Sequence, residues 1–224
     1  TFNWDEKVWY IADSRRNRYQ LRELNYDEPN DHHYDAPLVE LLKATPLTEP
    51  LWDDQLLAVR HIITYQRVII AYEMGKGKCL IAYAALEQLD NPYPVLITAP
   101  KNVLLAWRAE WKKWKPNLDP TRIVLMNYEQ LKQLDTEGTT FRTVIFDESV
   151  YLKNNEANRS IFAKNIILRS NPSHIILLCG TPSPKNPTDW WHQVELCQPG
   201  FLREGSKTKL LHRLADIVYI KTEL

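Results

Sequence analysis

The feature that most limits how this chain can fold is a recurrence of short, wholly apolar runs separated by stretches of helical periodicity. Val68-Ile-Ile70, Pro94-Val-Leu-Ile-Thr-Ala-Pro100, Ile123-Val-Leu-Met126, Thr143-Val-Ile-Phe146 and His174-Ile-Ile-Leu-Leu-Cys179 have strand length and lack polar alternation. Such strands are buried on both faces, which calls for a mostly parallel sheet with helices above and below, an α/β fold. The intervening segments agree. Leu56, Val59 and Ile63 mark a helix after Pro50, Val103 to Trp114 reads as an amphipathic helix, a short helix follows Tyr128, and Asn155 to Leu168 reads as another. With 44% apolar residues in 224, the chain can build one large domain or one domain plus an extension. Ligands of such sheets bind outside the carboxyl ends of the strands, and here each strand ends in a small, polar or acidic residue.

The first of these ends is Ala71-Tyr-Glu-Met-Gly-Lys-Gly-Lys-Cys79, which leads into the apolar helix beginning Leu80-Ile-Ala. Gly75 and Gly77 permit backbone conformations that let successive N–H groups wrap an anion, and the new helix adds its positive end. Met74, Lys76 and Gly77 would form the wall of that loop, and Lys78 would bring a point charge to the β and γ phosphates of a nucleotide. A phosphate loop ordinarily has Ser or Thr after its lysine, where the hydroxyl ligates Mg²⁺, but this chain has Cys79. An ordinary strand-to-helix turn is the alternative reading of the same residues.

A second end supplies the complement. Asp147-Glu148 follows Phe146, where one carboxylate can hold a bridging Mg²⁺ and the next can orient and deprotonate a water. On its own the pair also reads as the start of a solvated loop.

The box Asp147-Glu-Ser-Val-Tyr-Leu-Lys-Asn154 resembles the Asp-Glu-Ser/Ala-His-Arg-Ile-Lys-Asn motif of the Swi/Snf-related branch of superfamily two helicases and translocases. Other segments resemble that family's motifs in order. They are Pro50 to Gln55 for the glutamine motif, Glu73 to Lys78 for the phosphate loop and Leu96 to Pro100 with Trp107 and Glu110-Trp111 for motif Ia. Asn127-Tyr-Glu-Gln-Leu131 resembles the Tyr-Glu-x-Leu box, Leu177-Leu-Cys-Gly-Thr-Pro182 resembles motif III, and Pro184 to Trp191 resembles the segment after it.

The resemblance implies the first RecA-like lobe of an ATP-driven double-stranded DNA translocase, using ATP and Mg²⁺. Gln55 would read the adenine edge, Lys78 hold phosphates, Asp147 and the residue at Cys79 meet the metal, Glu148 activate water, and Thr181 sense motif II. Lys101, Asn102, Asn127 and Lys153 would contact DNA, the first three at strand ends where family members touch backbone phosphates, with ordinary solvated loop residues as the alternative reading of those three. Trp107 and Trp111 read as packing residues rather than a base-stacking platform. Ile217 to Leu224 resembles the bridge to a second RecA-like lobe, whose arginine finger the reaction would need; alone, the chain is expected to hydrolyse ATP poorly. Tyr72, Lys76, Cys79, Val150 and Tyr151 depart from the family pattern, and the alternative they raise is a degenerate lobe acting as an interaction module.

The expected organisation is an N-terminal extension over 1–47, the ATPase lobe over 48–205 and the start of the bridge over 206–224. The extension mixes aromatics with charge, suggesting an antiparallel ribbon through Lys7 to Ile11 and Arg18 to Leu21, then a turn-rich loop whose His32 and His33 lack further ligands at useful spacing. Lys plus Arg equal Asp plus Glu at 28 each, so bulk charge is silent about nucleic acid. Three cysteines in no metal or disulfide spacing fit a reducing compartment, cytoplasmic in a microbe or phage-infected host, nuclear in a eukaryote. No apolar run approaches a membrane span, and no membrane partner is expected.

Overall fold

A computed structural model of the protein describes residues 2–3, 8–9, 51–182, 187–202 and 204–211. The chain divides into compact units at Thr1–Leu41 and Leu42–Leu224. In the first, strand β1 (Phe2–Asn3) pairs antiparallel with β2 (Val8–Trp9), Phe2 opposite Trp9. The expected second arm at Arg18 to Leu21, His32 and His33, Pro184 and the bridge segment Ile217 to Leu224 lie outside the described residues.

The second unit alternates strand and helix: α1 (Asp53–Tyr65), β3 (Arg67–Ile70), α2 (Lys78–Gln88), β4 (Val95–Ala99), α3 (Leu104–Trp114), β5 (Ile123–Asn127), α4 (Leu131–Glu137), β6 (Thr143–Asp147), α5 (Asn158–Ser170), β7 (His174–Leu178) and α6 (Trp190–Cys197). The sheet order is β3-β7-β6-β4-β5, and every pairing in it is parallel. Register keeps the carboxyl ends level: Ile70 pairs with Leu178, Leu178 with Asp147, and Ala99 with Asn127.

Alternation along each strand feeds two cores. Val95, Ile97, Ala99, Ile145, Ile176 and Leu178 pack with Val59 and Ile62 of α1, with α2, and with Trp107 of α3. Leu96, Val144, Phe146, Ile175 and Leu177 pack on the other face with Leu131 and Leu134 of α4, Ala163 and Ile166 of α5, and Leu196 of α6. Helix α2 is buried almost all round from Leu80 to Leu86, as its unbroken apolar sequence requires. Asp147 has the parity of Ile145, so its side chain points to the face covered by α1 to α3.

Three sequence expectations need adjustment. The buried stripe of α1 is Gln55, Ala58, Val59 and Ile62; Leu56 and Ile63 flank it, half-buried. Helix α5 starts at Asn158 rather than Asn155, because Asn154 Oδ1 accepts from Glu156 N (3.1 Å) and Asn154 O from Ala157 N (3.2 Å), a turn that delays the helix. The sheet, expected to be mostly parallel, is wholly so among the described strands of this unit.

Candidate nucleotide site

The segment after β3 begins at Ala71 and turns through Gly75 and Gly77, both with left-handed φ (81° and 72°). A side chain at Gly75 would meet nothing within 4 Å, whereas a Cβ at Gly77 would lie 2.6 Å from Gln55 Nε2. Gln55 is the reason. Its buried amide accepts from Trp52 N (3.1 Å) and donates to the Lys76 carbonyl (3.2 Å), so it props the loop from beneath. Both of its amide ends are thus engaged within the protein, in addition to the adenine contact the family resemblance implies. Two of the departures from the family pattern hold the same flank: Tyr72 Oη donates to Asp54 O (2.8 Å), and Lys76 Nζ lies 3.5 Å from the Asp54 carboxylate.

Lys78, the first residue of α2, turns its ammonium back to the carbonyls of Tyr72 (3.0 Å) and Glu73 (3.2 Å). Gly180, just past β7, faces the same spot: a Cβ there would sit 3.5 Å from Tyr72 O and 3.8 Å from Lys78 Nζ. Burial raises the Asp147 carboxyl above its usual range, and the nearby Lys78 charge is among the smaller influences that oppose the rise. The phosphate loop, motif III and the motif II carboxylate therefore meet at one end of the sheet.

Asp147 is 3% exposed and held from three directions. Trp107 Nε1 donates to Oδ2 (2.8 Å), Glu148 N donates to Oδ1 (2.9 Å), and Tyr128 Oη donates to the Asp147 carbonyl (2.7 Å). Burial raises the carboxyl above the ordinary carboxylate range, the indole and Glu148 N–H groups oppose the rise, and the Glu148 charge adds to it. Glu148 itself has φ 51°, ψ 53°, a left-handed conformation unusual for glutamate that aims its side chain away from the strand line.

Cys79 stands second in α2, half-buried. Burial first, then the Asp147 and Glu110 charges, push its thiol far above the usual range. A neutral thiol is a poor partner for a hard cation, whereas the buried Asp147 carboxylate keeps a free lone-pair direction on each oxygen. The residues present therefore fit a phosphate-bound Mg²⁺ at Asp147 and do not favour Cys79 as a ligand. Among the described residues no group of three or more His, Cys, Asp or Glu side chains is placed to hold a metal ion.

Motif III reaches motif II through Cys179. Its thiol donates to Glu148 Oε2 (3.8 Å), whereas Thr181 is exposed. Gln193 of α6, fully buried, adds a second link, accepting from Ser149 Oγ (2.7 Å) and donating to Pro182 O (2.7 Å). Sequence reasoning assigned neither residue; the cue was available for Cys179, which occupies the threonine position of the motif, and absent for Gln193.

The residues expected at DNA divide. Lys101 and Asn102 are exposed in the turn after β4. Asn127 closes a capping box with Gln130: Oδ1 accepts from Gln130 N and its own N donates to Gln130 Oε1, both at 3.0 Å. Lys153 pairs with Asp189 (3.2 Å), which also holds Lys207 (3.1 Å). Burial works against ionisation of Asp189, and the two lysines outweigh it and leave its pKa below the ordinary value. Tyr151, where family members carry a charged residue, stacks on Tyr128 at 5.4 Å, with Arg159 against its ring. Trp107 and Trp111 pack as expected, Trp107 wholly buried and both edge-on to Tyr83.

No family model matches the chain. It is 26% identical over 151 residues to a Xenopus tropicalis SWI/SNF-related matrix-associated actin-dependent regulator of chromatin subfamily A-like protein 1, covering 60% of this chain and 16% of that protein. It is 32% identical over 149 residues to the Caenorhabditis elegans homologue of that protein, covering 58% of this chain and 21% of the relative. The chain thus spans well under two thirds of these relatives. The solved Sulfolobus solfataricus SWI2/SNF2 ATPase core in complex with double-stranded DNA superposes with a TM-score of 0.64 at 23% identity, over 75% of this chain and 40% of that one. The chain is thus similar in sequence to SWI/SNF-related proteins over somewhat less than two thirds of its length, and its described residues from Leu51 share the RecA-like fold of a lobe of the solved SWI2/SNF2 core.

Proposed function

We propose that this chain is the first motor lobe of an ATP-dependent double-stranded DNA translocase, acting with a second RecA-like lobe. The observation that carries the reading is the convergence of Lys78, Asp147, Glu148 and Gly180 at level strand ends. Backbone N–H groups at Met74 to Gly77 bind the phosphates, and Lys78 exchanges its loop carbonyls for phosphate oxygens. Asp147 would hold Mg²⁺, which when bound would supply positive charge to the phosphates. Glu148 positions and deprotonates the attacking water, and Cys179 with Thr181 relays the state of that carboxylate to motif III. Gln55 approaches the adenine while supporting the loop. Lys101 and Asn102 touch backbone phosphates, with Asn127 and Lys153 contributing once their internal partners yield.

The matched stretch is 40% of the solved core, the share expected of one lobe of two. The compartment is the one holding the DNA. No described helix is long and apolar enough to cross a membrane. Cys79 in place of the hydroxyl that a phosphate loop offers Mg²⁺, with Val150 and Tyr151, favours a second reading, an interaction module with little turnover. ATP hydrolysis by the full-length protein, with and without duplex DNA, separates the two. Stimulation by DNA that disappears in Glu148→Gln supports the motor; no hydrolysis in either protein supports the module.

A further inference from the structure

We infer that Trp107, held in place by Tyr83, is a positioning residue that fixes the Asp147 carboxylate for a nucleotide-bound divalent cation. The inference deepens the nucleotide-site reading and rests on it. Trp107 sits on α3, on a different element from either half of the site, and its indole N–H donates to Asp147 Oδ2 at 2.8 Å in a fully buried contact. With Oδ1 taken by Glu148 N at 2.9 Å, each oxygen has one N–H partner, and the plane of the carboxylate is fixed. Tyr128 fixes the backbone of the same residue at 2.7 Å.

Trp107 is itself clamped from α2. Tyr83 Oη donates to the Trp107 carbonyl at 3.0 Å, and the two rings meet edge to face at 5.2 Å and 88°. Helix α2 begins with Lys78. One unbroken set of contacts therefore runs from the helix that carries the phosphate lysine, through Tyr83 and Trp107, to Asp147. A buried indole N–H needs some acceptor, and a backbone carbonyl would serve. Here the acceptor is the side-chain oxygen of the one buried carboxylate at the candidate site. Loss of a hydrogen-bond partner that orients a metal ligand typically lowers metal affinity about 10- to 100-fold.

The test is a Mg²⁺ titration of fluorescent ADP binding to the full-length protein and to its Trp107→Phe, Trp111→Phe and Tyr83→Phe variants, repeated in EDTA. Trp107→Phe keeps an aromatic ring, smaller than the indole, and removes the N–H; it is expected to raise the half-saturating Mg²⁺ concentration about 10- to 100-fold while leaving affinity in EDTA unchanged. Trp111→Phe alters the other indole on the Tyr83 ring and is expected to change neither. An unshifted Mg²⁺ requirement in Trp107→Phe, or an equal loss with and without Mg²⁺, overturns the inference and leaves the nucleotide site standing. Nucleotide binding that is absent or indifferent to Mg²⁺ in the unsubstituted protein overturns both. Should Trp107→Phe not fold, Tyr83→Phe decides: a raised Mg²⁺ requirement supports the inference, and an unchanged one overturns it.

Discussion

The two halves of the candidate site are built by opposite means. At Asp147, three donors from α3, the following peptide and Tyr128 converge on one residue that is 3% exposed. At the loop, Met74 is 86% exposed, Gly75 has open space around it, and Lys78 bonds to carbonyls of its own segment. The carboxylate end is set by core packing and moves only with the core. The loop end is set by local hydrogen bonds that water or phosphate can replace, so it rearranges at small expense. On the proposed reading, a single site combines a fixed metal side with an adjustable phosphate side.

Substitutions can break or sharpen that contrast. The largest effect is expected from Trp107→Ala, which empties a fully buried site on the carboxylate side and should lower unfolding free energy by about 3–5 kcal/mol in urea denaturation. Next is a matched deletion of one hydroxyl on each side. Tyr128→Phe strands the buried Asp147 carbonyl and should destabilise by about 1–3 kcal/mol, whereas Tyr72→Phe frees a carbonyl that water can reach and should fall near the low end of that range. Equal losses in the two variants would end the distinction between the sides.

Within the loop, Gly77→Ala and Gly75→Ala both force a left-handed alanine, a strain of about 1–2 kcal/mol each. Only the former displaces the Gln55 amide, so nucleotide affinity measured with fluorescent ADP should drop more for Gly77→Ala. The smallest effect is expected from Lys76→Ala. Its ion pair with Asp54 is 46% and 41% exposed at the two side chains, and its loss should change the thermal midpoint by no more than about 0–1 kcal/mol would.

The strands were legible in the sequence because runs such as Val95 to Ala99 have no polar alternation, and burial on both faces is the only way to house them. The placement of Gly75, Gly77, Lys78 and Asp147 at strand ends followed from those runs. The capping box at Asn127 was also legible, since Asn-Tyr-Glu-Gln has the required spacing, yet the residue was read only for phosphate contact or as a solvated loop residue. The Trp107–Asp147 bond was not legible. It depends on β6 lying beside β4 and on the parity that turns Asp147 toward α3, both properties of sheet order. The same holds for Lys153, whose partner Asp189 is brought to it by the path of the chain after β7.

Strand β7 lies between β3 and β6, so the loop and the carboxylate are not neighbours in the sheet. They share a party wall, and its top course is Cys179 and Gly180, one touching Glu148 and the other facing Lys78. A lesion in that wall is felt in both rooms. Changes at these two positions should resemble neither a phosphate-side nor a metal-side defect, and should disturb both at once.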